Sequence, residues 1–372
     1  MQLLRLVQAQ VRLGEPLPWG VRDEHGKLLL ARGQVIASDA QLAALLERGA
    51  SVDIEEVRAA ASGDSNAARR PLSLFAQWEQ LLWQLDRLLR GIAEPGFVER
   101  VDALVQQIET LTLRDPDIAI YLTVRQDPKR LSIYALAHSV HCALVALLMA
   151  RRLGWEAGRT RTLMRAALTM NVAILELQGR MAAQGAPPTA TQMDLIRAHP
   201  AQGVAMLEAA GVTDADWLQA VAQHHERADG SGYPAGLGEV GELPTVLRYI
   251  DVFMAKMAPR ALRAPLSAQL AARQLFQESG GAPASAAIIK EFGIYPPGEF
   301  VQLKSGELAV VVRRGADART PLAAAITDRQ GMPQVNTVVR DTARADHAIA
   351  ALAPQRNLVL RVPPERLFGL PE

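Results

Sequence analysis

The segment His224-His225-Glu226-Arg227-Ala228-Asp229-Gly230-Ser231-Gly232-Tyr233-Pro234 sets two adjacent imidazoles directly before a carboxylate-bearing, glycine-rich turn. Neutral imidazoles are common ligands of divalent transition metals. Glycines let a backbone approach a bulky anion without a side-chain clash. The pattern points to a metal held beside a phosphate. A paired-imidazole turn supplies only half of such a site, so the remaining ligands must come from elsewhere in the chain.

The segment sits in a stretch, Asp115 to Gly293, whose apolar residues keep an almost wholly helical rhythm with Gly or Pro between segments. Thr189 and Gln192 have the spacing of a capping box. Before it, Phe75, Trp78, Leu82, Leu85 and Leu89, then Phe97, Val101, Leu104, Ile108 and Leu111, predict two helices joined by a Gly91 to Gly96 turn. These read as an antiparallel hairpin, with a coiled-coil homodimer as the alternative. At the start, short strand patterns over Val21 to Asp23, Leu28 to Leu30 and Ser51 to Val57 surround one helix, N-capped by Ser38 and ended by Gly49. Arg58 to Pro71 has almost no large apolar residue and reads as a linker. After Tyr295-Pro296-Pro297-Gly298 the pattern changes to strands at Phe300 to Leu303, Glu307 to Val312, Ala323 to Thr327 and Leu358 to Val362.

The expected organisation is therefore a strand-rich α+β module at 1–57 and a linker at 58–72. A helical hairpin at 73–114, an all-helical domain at 115–298 and a small β-rich extension at 299–372 follow. With 49% hydrophobic residues the chain can build real cores. A net charge of +1 without long charge runs gives no case for nucleic acid. The start lacks a signal-like apolar core, and the apolar run Cys142 to Ala150 is short against the roughly 20 residues of a membrane span. A cytoplasmic protein without membrane insertion is expected. The single cysteine, Cys142, reads as a small buried hydrophobe.

Taken in chain order, the remaining candidate ligands are His138, His199 and Asp251, in Tyr134-Ala135-Leu136-Ala137-His138, His199-Pro200-Ala201-Gln202-Gly203 and Tyr249-Ile250-Asp251-Val252-Phe253. With His224, His225 and the Gly-Tyr-Pro turn they resemble the HD-GYP family, metal-dependent phosphodiesterases of the HD superfamily that hydrolyse cyclic di-GMP. The resemblance covers about residues 130 to 315, including Gly293-Ile294-Tyr295-Pro296-Pro297-Gly298. It implies a mainly α HD-superfamily domain and a binuclear centre built from an isolated His, a His-Asp pair, a further His, a His pair and a final Asp. In that order Met170 and Asn171 stand at the His-Asp pair, Ile174 at the following Lys, and Met254 at a second Asp.

Taken singly, each ligand also has a structural reading. His138 on an apolar helix could be a hydrogen-bonded core histidine. His199, beside Pro200, could cap a helix C-terminus, and Asp251 could pair with an Arg or cap a helix. The ordered set favours the ligand reading. His141 is taken as structural, and His25 and His347 as loop residues away from the site.

The substitutions have a chemical consequence. An ionised Asp can bridge two cations, whereas the neutral Asn171 amide has one acceptor oxygen and is a weak ligand. The Met170 thioether is a soft donor, poorly suited to Mn, Fe(II), Mg or Zn. His138 and Asp251 would remain at one position, and His199, His224 and His225 at the other. The three-His set could hold one Fe, Mn or Zn ion, but the leading expectation is no resident metal. No catalytic residue is expected. The leading functional expectation is a non-catalytic signalling protein that binds a GGDEF-type partner or cyclic di-GMP through Arg227, Asp229, Gly230, Gly232, Tyr233 and Pro234. The alternative is a cyclic di-GMP phosphodiesterase with a reduced or mononuclear metal site.

Overall fold

The computed structural model describes residues 3–5, 11, 13–23, 26–47, 50–53, 56, 72–126, 131–353 and 362–370. The expected linker up to residue 71, the Gly49 helix stop, His25 and nearly all of the strand expected at 358–362 lie outside the described residues. The chain divides into two compact units, Met1–Glu79 and Gln80–Glu372, with the division inside a helix.

In the first unit, strands β1 (Leu3–Arg5), β2 (Val21–Arg22), β3 (Leu28–Leu30) and β4 (Ser51–Asp53) form a sheet of order β1-β4-β2-β3. All its pairs are antiparallel. Helix α1 (Asp39–Glu47) starts where the Ser38 hydroxyl accepts the Gln41 amide at 3.2 Å. Leu17, Val21, Ile36, Leu42, Ala50 and Val52 form this unit's core.

Helix α2 (Leu74–Arg90) and helix α3 (Phe97–Arg114) follow the expected apolar rhythm, and Phe97, Val101, Leu104, Ile108 and Leu111 are all buried on α3. Gly96, at φ 72°, makes the left-handed entry into α3 that a side chain would strain. Helix α4 (Pro116–Val124) begins with Pro at its first turn and an N-cap from Asp115, which accepts the Ile118 amide at 3.1 Å.

Helix α5 (Tyr134–Arg152) is apolar nearly all round because it runs through the centre of the second unit, against α6 (Ala157–Thr169), α10 (Glu242–Met257) and α12 (Pro283–Phe292). By length and composition alone α5 could cross a membrane, yet 89% of its apolar window is buried by its own fold. A short 3₁₀ turn, Val172–Ile174, leads from α6 into α7 (Leu175–Ala183), and α8 (Ala190–Ala209), α9 (Ala215–Gln223) and α11 (Ala268–Glu278) complete the helical body. Trp217 of α9 is fully buried, and its indole N–H donates to the Thr169 hydroxyl at 2.9 Å, which fixes α9 on the end of α6.

The chain then forms β5 (Phe300–Leu303), β6 (Leu308–Arg313), β7 (Leu322–Thr327), β8 (Pro333–Asp341) and β9 (Ile349–Leu352), an antiparallel sheet of order β8-β7-β6-β5-β9. Three of these strands lie where the alternation predicts them. The edge strands β8 and β9 escape that pattern, because β8 exposes Val338 and Val339 among polar residues, and β9 is uniformly apolar and so shows no alternation. Arg314 ties the sheet to the helices, donating to Asp117 and Glu291 at 2.6 Å each. The second unit is thus a mainly α body with a β-rich extension.

Helix α8, which carries His199, opens with a complete capping box. The Thr189 hydroxyl accepts the Gln192 amide at 3.2 Å and the Gln192 side chain accepts the Thr189 amide at 2.9 Å. Thr189→Ala should therefore lower stability by about 1 kcal/mol, read as a shift of the urea midpoint at unchanged slope.

Candidate metal centre

Two backbone carbonyls orient the central imidazoles. Pro200 lies inside α8 and has no N–H, so the Ile196 carbonyl four residues earlier loses its helical donor. His199 Nδ1 donates to that oxygen at 2.6 Å. The Val221 carbonyl is likewise freed where α9 ends, and His224 Nδ1 donates to it at 2.7 Å. A carbonyl only accepts, so both Nδ1 atoms carry the proton and both Nε2 atoms present lone pairs. These lone pairs face each other at 3.1 Å. His225 completes the group, with its ring centre 4.1 Å from His224 and 5.1 Å from His199. The three ligand atoms lie within 4.8 Å of one another.

The electrostatics favour the neutral, metal-binding form of these rings. Burial, reinforced by His224, pulls His199 down to about 4. Burial also lowers His224, and burial with the neighbouring imidazoles puts His225 well below the ordinary histidine value. The donor set fits a borderline divalent cation, and the Nδ1 bonds to carbonyls are the outer-shell support such ligands use. His199 is not a helix C-cap, because α8 continues for ten residues beyond it, and Pro200 is accommodated by the imidazole bond that replaces its own.

A second group stands on α5 and α10. His138 Nε2 lies 2.8 Å from Asp251 Oδ1 and 3.5 Å from Cys142 Sγ, and all three residues are buried. Burial opposes ionisation of Asp251, but the His138 hydrogen bond and the nearby imidazoles outweigh it and hold the carboxyl well below its usual range. Asp251 thus pairs with a histidine rather than with an arginine. Tyr134 stacks on His138 at 5.8 Å, and Arg260 donates to the Tyr134 hydroxyl at 2.7 Å, two supports the sequence reading did not include.

Met170 and Asn171 are buried at the C-terminal end of α6, and Ile174 is buried in the following 3₁₀ turn. Glu176, the nearest acid, is exposed and paired with Arg90 at 3.4 Å, so it does not stand in for a carboxylate at Asn171. His141 is half-buried and outside both groups, and His347 is buried in a 3₁₀ turn rather than in an open loop.

The turn after His225 is held by a residue that the sequence reading left without a role. Glu226 is buried, and its carboxylate accepts the Ala235 amide at 2.6 Å and the Leu237 amide at 3.0 Å. Gly232 is folded against this backbone so closely that a Cβ would sit 2.4 Å from the Arg227 nitrogen. Tyr233 is half-buried and stacks on His225 at 4.5 Å, so it faces the imidazoles rather than standing out as an exposed contact residue. Arg227 and Asp229 pair with each other, the closest approach being 2.9 Å, while Gly230 and Pro234 are exposed. Arg248, also missing from the sequence reading, is half-buried one turn before Asp251 on α10, and burial together with Arg227 lowers its pKa. An acid directly after two ligand histidines, and an Arg three residues before the final Asp, were the available signals.

Glu226→Ala should cost roughly 2 to 3 kcal/mol, since two amides lose a charged acceptor, and should open the 228–236 turn to limited proteolysis. The depressed histidines also set a pH dependence. In the unfolded chain His199 takes a proton near 6.5, whereas in the folded chain it does so only near 4. Between these values the unfolded state binds more protons, so stability falls on acidification, by on the order of 3 kcal/mol from this residue. With chelator present, the loss of urea stability from pH 7 to 4.5 should be smaller in His199→Gln than in the unchanged protein.

Residues 127–281 match the family model described as an HD domain. The chain is 30% identical over 223 residues to the cyclic di-GMP phosphodiesterase PA4108 of Pseudomonas aeruginosa, across 59% of this chain and 53% of that protein. It therefore spans about half the length of that curated relative. Among solved structures it is similar to Bd1817, an HDG"Y"P protein from Bdellovibrio bacteriovorus, with a TM-score of 0.48 and 14% identity over 78% of this chain and 98% of that one. The helical body around the histidines is thus similar to an HD domain, and the likeness to PA4108 supports an HD-GYP-like relationship.

Proposed function

We propose that this chain is a signalling protein that binds cyclic di-GMP at the histidine group and the Gly-Tyr-Pro turn, and hydrolyses it very slowly or not at all. The carrying observation is the mismatch between the two halves of the centre. His199, His224 and His225 converge with their lone pairs set by backbone carbonyls, while neutral Met170 and Asn171 stand where the family places a bridging carboxylate and its partner.

The three histidines would hold one divalent transition metal, which when bound offers Lewis acidity toward a phosphate oxygen. Arg227 and Arg248 add positive charge near the same turn, where the family's lysine is replaced by Ile174. That charge serves binding of a phosphodiester. Without a bridging carboxylate two ions cannot share a nucleophile, and turnover falls with it. The exposed outer edge of the turn, at Gly230 and Pro234, is the surface we assign to a partner protein, a GGDEF-type signalling protein being the partner implied by the family resemblance. A second reading, a phosphodiesterase working with one metal, is favoured by the same three-His set, which leaves a coordination position open.

Isothermal titration of manganese-loaded protein with cyclic di-GMP, alongside chromatographic detection of its hydrolysis, tests the proposal. Binding should be measurable, and turnover should lie at least about a thousandfold below the roughly 10 s⁻¹ of an ordinary enzyme. Met170→His combined with Asn171→Asp should raise hydrolysis at least about tenfold. Ordinary turnover by the unchanged chain would establish the single-metal phosphodiesterase instead.

A further inference from the structure

The structure assigns a second, thiolate-containing metal site to His138, Cys142 and Asp251, one that takes a zinc-type divalent ion without any ligand from residue 171. His138 and Cys142 are four residues apart on α5, so both side chains leave the same helical face, and α10 brings Asp251 against them. All three are buried, at 2% exposure for His138, none for Cys142 and 9% for Asp251. One atom, His138 Nε2, faces both partners, with Sγ at 3.5 Å and Oδ1 at 2.8 Å. One ligand atom from each residue lies within 4.8 Å of the other two.

These spacings can be set against coordination geometry. Tetrahedral bonds of about 2.0 to 2.1 Å to N and O, and about 2.3 Å to S, put neighbouring ligand atoms roughly 3.3 to 3.6 Å apart. The sulfur and nitrogen already have that separation, and the nitrogen and oxygen need to part by about half an ångström. A thiolate and a carboxylate also neutralise a divalent charge, so the loaded group carries no net charge into a buried position. On loading, the thiol proton leaves to solvent as the sulfur–metal bond forms, with no change of oxidation state. A soft thiolate beside an imidazole selects zinc, or cobalt as its spectroscopic substitute, over manganese or magnesium. The ligand set therefore differs in kind from the all-nitrogen group at His199, His224 and His225, and the two positions should differ in the ion they prefer.

The test is loading of the full chain with Co2+ alone. Because Cys142 is the chain's single cysteine, a thiolate-to-cobalt charge-transfer band in the near ultraviolet identifies its sulfur directly. The expected result is that band in the unchanged protein and its loss in Cys142→Ser and in Cys142→Val. Each variant should bind one cobalt per chain fewer, with the far-ultraviolet circular dichroism unchanged. His224→Ala should keep the band. Saturation of the unchanged chain without the band, or a band that persists in the cysteine variants, overturns the assignment. Should both variants misfold, the presence or absence of the band in the unchanged chain still decides. No nucleotide enters the measurement, so its failure leaves the proposed function standing, and failure of cyclic di-GMP binding leaves this site standing.

Discussion

The hydrogen bonds from His199 Nδ1 to the Ile196 carbonyl and from His224 Nδ1 to the Val221 carbonyl are the constraint on which the centre depends. Each uses an oxygen that the helix itself cannot satisfy, one because Pro200 has no N–H and the other because α9 ends. The same bond that satisfies a buried carbonyl also decides which ring nitrogen is protonated and where the other lone pair points. Helix construction and ligand orientation are thus one event. Proline within α8, which reads as a defect in a helix, is what makes the adjacent histidine a directed donor.

Trp217 and Thr169 fix α9 against the end of α6, so the residues at 170 and 171 and the pair at 224 and 225 are brought to the same region of the body. Helix α5 contributes the second group from its buried face, and α10 closes it with Asp251. His138, Cys142 and Asp251 lie on buried helices and His199 on the narrow buried stripe of α8, where packing restricts their rotamers. Arg227 and Arg248 lie at the less buried margin.

Much of this was legible from the sequence, and what was missed has physical reasons. The long helical rhythms, the capping box at Thr189 and the three inner strands of the terminal sheet are local patterns, and local patterns survive folding. The order of His138, His199, His224, His225 and Asp251 was also readable, because family order encodes a shared geometry without requiring coordinates. Glu226, Tyr134, Arg248 and Cys142 were not read for their roles, since each acts through a neighbour that only the folded chain supplies. Tyr233 was read only as a ligand- or partner-binding residue, and the imidazole beside its ring, a better surface than water, comes to light only in the folded chain. The edge strands β8 and β9 carry too little alternating apolar content to announce themselves.

The stacking of Tyr233 on His225 has a thermodynamic consequence. The Tyr233 amide also donates to the His225 carbonyl at 3.2 Å, so the turn and the imidazole are joined through both backbone and ring. Whatever occupies the turn and displaces Tyr233 must do work on His225, and an ion held by His225 must in turn bias the position of Tyr233. Such coupling is reciprocal. The factor by which an occupant of the turn changes the affinity for the ion equals the factor by which the ion changes the affinity for that occupant. A metal bound at such a centre would in this way report, by its occupancy, on what the turn holds.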